Sequence, residues 1–188
     1  MARGGQGLAR VAVVVRAGAA PLWWLGAIAA GIGVVPSGVT GRRIGVLAGA
    51  VLFVVAAGAV AWARRDRYLA SARGAARAGK HDVLQDRAVT LRAWRRGHRW
   101  RLLLAFAAAL GSSFAVPAAG GLLLAGLATG LHLKAAWLGR RELATGRLFW
   151  VRVDRLSARG GSPAGKRVAG YRVTGIGAGD AGPGGGRR

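Results

Sequence analysis

The stretch RIGVLAGAVLFVVAAGAVAWARR, residues 43–65, contains an unbroken apolar run that ends in tryptophan and two arginines. A bilayer core about 30 Å thick is crossed by a helix of about 20 apolar residues. Indole rings prefer the headgroup region, and arginine is concentrated on the cytoplasmic side of membranes. The stretch therefore predicts a membrane-spanning helix whose C-terminal end lies at the cytoplasmic surface.

Three other apolar stretches of similar length are also flanked by tryptophan and arginine. We therefore predict an all-α integral membrane protein with four transmembrane helices, at residues 17–35, 44–63, 102–119 and 120–138. The predicted interface anchors are Trp23, Trp24, Trp62, Trp100 and Trp137.

The distribution of charge predicts the orientation of these helices. The chain has 188 residues, with 29 Lys and Arg against 6 Asp and Glu, a formal net charge of +23. With four spans, both termini and the central segment lie on one side, and this side holds every Lys and Arg except Arg42 and Arg43. The positive-inside rule makes that side the cytoplasm. We expect a multi-pass protein of the plasma (inner) membrane, with a basic cytoplasmic N-terminus at residues 1–16.

The central basic segment, residues 64–101, is predicted to form a cytoplasmic helical hairpin. Its first helix would end at Gly79, a residue typical of helix C-terminal caps. Its second helix would begin at Asp82, because Gln85 three residues later completes a capping box. An apolar stripe would follow on that helix, formed by Leu84, Ala88, Leu91 and Trp94.

The arginines of this hairpin are the candidate binding residues. A basic helical surface can bind DNA phosphates without sequence preference, and near a membrane it can instead bind anionic headgroups. Lipid binding explains the arginines nearest the spans, and it explains those along residues 73–92 less well. The possible contacts to DNA or anionic lipid are Arg73, Arg77, Arg87, Arg92, Arg95, Arg96 and Arg99.

The C-terminal tail, residues 139–188, is also basic and predicted to be cytoplasmic. Residues 148–153 read as a short strand, and residues 167–174 could be its partner in a β-hairpin. From about residue 175 glycine dominates, so disorder is expected there.

Small residues and ionisable groups occur inside the predicted spans. Two pairs at i, i+4 spacing let helix backbones approach closely and promote association, so a homo-oligomer is also considered. Lys134 can extend towards the interface, whereas His132, somewhat deeper, is a candidate by position alone. The predicted packing glycines are Gly45, Gly49, Gly126 and Gly130.

Motifs that suggest enzymatic chemistry are weak. Residues 160–166, GGSPAGK, match a P-loop up to the lysine, but Arg167 stands where Ser or Thr should hold magnesium. The chain has no cysteine and three histidines, and no set of ligands has the spacing of a metal site. We predict no enzyme activity, no cofactor and no metal.

The Ala-, Gly- and Arg-rich composition, the four short-looped spans and the basic cytoplasmic segments resemble the small membrane spread (Spd-type) proteins of actinomycete conjugative plasmids and integrative elements. The resemblance lies in architecture and composition. It implies a role in moving plasmid DNA between compartments of a mycelium, with a separate DNA-translocating ATPase as partner. The basic hairpin and tail would then face DNA or that ATPase.

Two other functions fit the same sequence. One is a holin-like or envelope scaffold protein whose basic segments contact only anionic lipid. The other is the membrane subunit of a transporter whose ATPase is a separate chain, although the predicted spans contain no acidic residue to relay protons or bind ions.

Overall fold

A computed structural model describes residues 7–36, 38–78, 83–84, 87–152 and 171–175. The chain divides into two compact units. The helical unit comprises Val15–Ala63 and Trp94–Ala136, and the sheet unit comprises Met1–Val14, Arg64–Ala93 and Trp137–Arg188.

Most of the described residues are helical. The helices are α1 (Val11–Ala17), α2 (Ala19–Gly33), α3 (Arg42–Trp62), α4 (Arg65–Arg73), α5 (Arg87–Ser112) and α6 (Ala119–Thr145). The strands are β1 (Gly7–Arg10), β2 (Ala76–Arg77), β3 (Val83–Leu84), β4 (Arg147–Arg152) and β5 (Tyr171–Gly175).

The helical unit is packed through glycines of α6. A Cβ at any of these positions would meet backbone atoms of a neighbouring helix, so only glycine permits the observed approach. Gly120 lies against Ala109 of α5, Gly121 against Ala30 of α2, Gly126 against Phe53 of α3, and Gly130 against Ala57 of α3.

Three described helical stretches are long and apolar enough to cross a membrane: Val11–Gly33, Arg42–Arg73 and Ala119–Thr145. Large apolar side chains on the helical unit are exposed, including Leu47 and Val51 of α3. Such a surface is unfavourable in water and is expected where helices contact lipid.

The predicted third span, residues 102–119, is wrong in its extent. Helix α5 ends at Ser112, and a turn containing Pro117 connects it to α6. Proline has no N–H to donate and cannot continue a helix from the preceding turn. The apolar part of α5 is therefore residues 102–112, about 16 Å of helix, whereas α3 extends for about 31 Å.

The sheet unit contains a five-stranded sheet, which is larger than the β-hairpin predicted for the tail. The strand order is β2-β5-β4-β1-β3. Strand β4 is antiparallel to both neighbours, with Leu8 opposite Arg152 and Phe149 opposite Val173. The edge strands β2 and β3 pair in parallel with β5 and β1. Segments from the start, middle and end of the chain thus share one sheet.

The segment predicted as a helical hairpin is interrupted by two of these strands. Helix α4 ends at Arg73, and the N–H of its C-cap residue Gly74 donates a hydrogen bond to the Ala70 carbonyl. The backbone of residues 76–77 then pairs with β5 instead of continuing a helix. Leu84 likewise belongs to β3, and its predicted helix begins only at Arg87. The predicted cap residues Asp82 and Gln85 lie outside the described residues.

The core on one face of the sheet is formed by large side chains. Leu8, Leu148 and Trp150 are buried, and Ala78 and Leu84 pack against them. The indole Nε1 of Trp150 donates a hydrogen bond of 2.8 Å to the hydroxyl of Thr174 on β5. In the tail, β4 overlaps the strand predicted at residues 148–153, and β5 overlaps its predicted partner at residues 167–174.

Candidate functional site

Exposed arginine dominates the charged surface of the sheet unit. The two acidic residues that the described ranges contain are Asp66 and Glu142, and only Asp66 is exposed. Exposed arginines of the described sheet unit include Arg73, Arg77 and Arg87. The surface potential is therefore strongly positive, which favours polyanions and anionic headgroups.

The seven arginines predicted to contact DNA or lipid are all exposed, but they divide between the two units. The three arginines in the helical unit directly precede the apolar part of α5 in the sequence, whereas the four in the sheet unit are farther from it along the chain. The sheet unit contains Arg73, Arg77, Arg87 and Arg92, and the helical unit contains Arg95, Arg96 and Arg99.

Four of these arginines occupy one face of α5. Residues 92, 95, 96 and 99 are separated by three or four positions, so they lie along one side of the helix. Trp94 and His98, at the complementary positions, are half-buried and stacked with ring centroids 4.3 Å apart. Trp94 lies beside Gly18, so the stacked pair and the four arginines occupy different sides of α5.

Buried Glu142 joins three elements of the sheet unit. Its Oε2 accepts hydrogen bonds from Nε and Nη2 of Arg10, at 2.9 and 2.6 Å. Its Oε1 accepts the backbone N–H of Phe149 at 3.0 Å. Because both carboxylate oxygens have partners, burial of this charge is compensated. The contacts fix the end of α6 to strands β1 and β4.

An open cleft of about 730 Å³ lies within the sheet unit, between α4, the end of α6 and strands β4 and β5. Its surface is mainly apolar, and Phe149 in its wall stacks on Tyr171 with ring centroids 4.7 Å apart. The side chains that line its interior include Tyr68, Leu69, Trp137, Leu138, Phe149 and Val173.

Three exposed arginines also line this cleft, namely Arg73, Arg141 and Arg147. Glu142 is the one acidic side chain among the described lining residues, and Arg10 and Phe149 already occupy its oxygens. The cleft therefore combines an apolar interior with excess positive charge. Sequence reasoning did not find it, because its walls come from segments that are distant in the chain.

The predicted interface tryptophans differ in exposure. Trp23, Trp24, Trp62 and Trp100 are exposed. Trp137 is half-buried, and the guanidinium of Arg65 lies 5.1 Å from its ring centroid. This cation–π contact holds the indole at the cleft wall.

The predicted packing glycines all lie against other elements of the helical unit. Gly45 adjoins Pro117, and Gly49 adjoins Ala119 and Leu122. Gly126 and Gly130 face α3, as described above. Of the two ionisable residues predicted inside the fourth span, His132 is exposed, whereas Lys134 is buried at 6% exposure.

Within the described ranges, no group of three or more His, Cys, Asp or Glu side chains could hold a metal ion. The P-loop-like residues 160–166 lie outside those ranges. No family model, curated protein or solved structure matches this chain.

Proposed function

We propose that this chain is a non-enzymatic, multi-pass membrane protein that assists the transfer of plasmid or other mobile-element DNA. Its sheet unit lies in the cytoplasm and binds DNA without sequence preference, or presents it to a separate DNA-translocating ATPase. The observation that carries the proposal is the set of exposed arginines on the sheet unit, such as Arg77 and Arg87.

Four crossings of the plasma membrane are part of this proposal, and the helical unit supports them. Helix α3 contacts α6 in parallel, since Phe53 adjoins Gly126 and Ala57 adjoins Gly130. Helix α5 runs antiparallel to α6, since Ala109 adjoins Gly120 and both Trp94 and Leu131 lie near Gly18. Helices α3, α5 and α6 therefore alternate in direction along the chain, as expected of a chain that crosses the membrane several times.

The sheet supports the same topology, because it fixes whether the number of membrane crossings between two of its strands is even or odd. Strands β1, β2, β3 and β4 belong to one sheet, so the segments that connect them begin and end on one side of the membrane. The connection from β3 to β4 contains α6, a candidate span, and α5. An even number of crossings then requires α5 to cross as well. The positive-inside rule assigns the sheet side to the cytoplasm.

DNA binding follows from the chemistry of the sheet unit. Arginine forms bidentate, charge-assisted hydrogen bonds with phosphate. Arg77 and Arg87 are exposed and do not line the apolar cleft. With one exposed carboxylate on the described residues, little repulsion opposes a polyanion. Binding of this kind depends on phosphate number and salt, and not on base sequence.

The test measures DNA affinity of the full chain in nanodiscs of phosphatidylcholine, a lipid without net charge. Fluorescence anisotropy of a labelled duplex is recorded from about 50 mM to about 200 mM salt, over which binding should weaken by orders of magnitude. In the double variant Arg77→Gln/Arg87→Gln, the negative slope of log affinity against log salt should become shallower. The change should be about 0.9 for each phosphate that the protein no longer neutralises.

The matched control is Arg42→Gln/Arg43→Gln, which removes the same charge from another exposed pair. It should leave DNA affinity unchanged, because that pair lies on the opposite side of the membrane in the proposed topology. Equal weakening in both variants, or no DNA binding by the wild type at low salt, would contradict the proposal.

A scaffold that contacts only anionic lipid is the second candidate. It is favoured by Arg95, Arg96 and Arg99, which belong to the helical unit next to the apolar part of α5. Such a protein would show no DNA binding in neutral nanodiscs, and its association with phosphatidylglycerol vesicles would weaken when these three arginines are replaced by glutamine.

A further inference from the structure

The apolar cleft of the sheet unit is not used by the proposed DNA-binding surface. We propose that it binds one anionic phospholipid, with the phosphate on Arg73, Arg141 and Arg147 and part of an acyl chain against the apolar interior. This site goes beyond the proposed function and does not depend on it.

The shape and lining of the cleft suit a lipid chain. Its volume of about 730 Å³ falls within the range of about 300–1,000 Å³ that is usual for small-molecule sites. Leu138 and Phe149 are buried, and Val173 is half-buried beside them. Apolar surface of this kind gains free energy when an acyl chain removes it from water.

The charge of the cleft selects an anionic headgroup. Arg73, Arg141 and Arg147 come from α4, α6 and the start of β4, so they approach the cleft from three elements. Glu142 does not neutralise them, because its carboxylate is bound to Arg10 and to the Phe149 N–H. Guanidinium groups form charge-assisted hydrogen bonds with phosphate, and a headgroup of net negative charge adds no cation beside these arginines, as the choline of a zwitterionic lipid would.

The position of the cleft in the chain places it near headgroups. The apolar helix α3 ends at Trp62 and α4 starts three residues later at Arg65, and the cleft residues of α6 begin at Trp137. Both tryptophans occupy positions typical of a membrane interface. Basic pockets at the cytoplasmic ends of membrane helices are suited to anionic headgroups.

A lipid fits these observations better than DNA does. The phosphates of a duplex are carried on a polar backbone, so a duplex would leave the apolar interior exposed to water. The lipid phosphate carries its own apolar chain, which covers that interior. The occupant is therefore assigned as a membrane lipid and not as nucleic acid or free phosphate.

The experiment uses the full chain, delipidated in detergent and titrated with dioleoylphosphatidylglycerol or dioleoylphosphatidylcholine. Native mass spectrometry counts the bound lipid. We expect one saturable phosphatidylglycerol site and weaker binding of phosphatidylcholine. Replacement of two charged hydrogen-bond donors, in Arg141→Gln/Arg147→Gln, should weaken phosphatidylglycerol binding by about tenfold or more.

A second variant tests the cleft and not merely its charge. Ala72 is exposed on α4 and lines the cleft, so Ala72→Trp fills the space without changing any charge. It should also weaken phosphatidylglycerol binding by about tenfold, since it displaces the acyl chain. The controls are Ala70→Trp, an exposed α4 position outside the cleft, and Arg42→Gln/Arg43→Gln; neither should change lipid binding.

Four results would overturn the assignment. Equal affinity for the two lipids would remove the role of the arginines. Unchanged binding in Ala72→Trp would show that the lipid binds to surface charge alone. Competition by water-soluble glycerophosphoglycerol as strong as that of the lipid would point to a free phosphate ligand, and displacement of the lipid by a DNA duplex would assign these arginines to the DNA surface. The lipid-binding variants leave Arg77 and Arg87 intact, so a loss of lipid binding can be distinguished from a loss of DNA binding.

Discussion

The two units of this chain arrange residue size and polarity in opposite ways. In the helical unit the buried positions are small, such as Ala29 and Ala128, and the exposed positions are large and apolar, such as Val51. In the sheet unit Trp150 is buried, and arginine covers the surface. Helices in lipid associate through close packing of small residues, whereas proteins in water bury large apolar groups. The difference indicates that the two units are built for different solvents.

The largest expected effect concerns the buried charge of the sheet unit. Glu142→Gln removes the negative charge that pairs with Arg10, whose side chain is 21% exposed. Arg10 donates two hydrogen bonds to this carboxylate, and a hydrogen bond to a charged group contributes about 1.5–3 kcal/mol, so the sheet unit should unfold at a lower temperature. Limited proteolysis during heating would show cleavage in residues 64–93 before cleavage in the helical unit.

The control for this change is Asp66→Asn, because Asp66 is exposed. An exposed carboxylate contributes at most about 1 kcal/mol, so the proteolysis temperature should stay close to that of the wild type. A comparable loss in both variants would mean that the sheet unit does not depend on the buried pair.

The comparison of solvents is tested most directly by introducing arginine into both units. Val51 of α3 is 63% exposed and Leu143 in the sheet unit is 69% exposed. Val51→Arg should reduce membrane insertion, since arginine at the centre of a spanning helix costs about 2.5–3.5 kcal/mol. Leu143→Arg should change stability by no more than about 0.5 kcal/mol, as for an ordinary surface substitution in water.

The readout is the fraction of protein that is recovered folded from membranes, measured by fluorescence-detected size-exclusion chromatography. Equal recovery of Val51→Arg and Leu143→Arg would show that the exposed face of α3 does not contact lipid. That result would contradict the proposed membrane topology.

A smaller effect is expected from glycine packing within the helical unit. A Cβ at Gly126 would lie 2.5 Å from the Phe53 carbonyl oxygen, whereas a Cβ at Gly58 has nothing within 4 Å. Gly126→Ala should lower thermal stability in detergent, at an overpacking cost of about 1–3 kcal/mol. Gly58→Ala should raise it slightly, because alanine is favoured over glycine in a helix by about 1 kcal/mol. Shifts of the same sign in both variants would argue against close packing of α3 on α6.

Local sequence patterns predicted some of these elements and not others. Helices α3 and α6 follow from apolar runs, since length and composition alone indicate them. The end of α5 at Ser112 is not evident from the sequence, because residues 114–119 remain apolar on both sides of Pro117. Strands β1, β2 and β3 have two to four residues, too few for an alternating pattern, and their pairing is set by segments far away in the chain.

The candidate site was predictable to a similar degree. Exposed arginine in the central segment follows from charge alone. The ion pair between Arg10 and Glu142 joins residues 132 positions apart, and no local pattern encodes such a contact. The cleft depends on the same long-range assembly of α4, α6, β4 and β5. Only the position of Glu142 among arginines near the end of the last apolar helix could have drawn attention to this region.

The short apolar part of α5 has a mechanical consequence for the surrounding lipid. In the proposed topology α5 crosses with an apolar length of only about 16 Å, compared with about 31 Å for α3, and this is below the usual hydrocarbon thickness of about 30 Å. A bilayer adapts to such hydrophobic mismatch by local thinning, and exposed Arg99 and Arg101 favour the same deformation by extending towards headgroups. The annulus of lipid around the protein would therefore be thinnest beside α5.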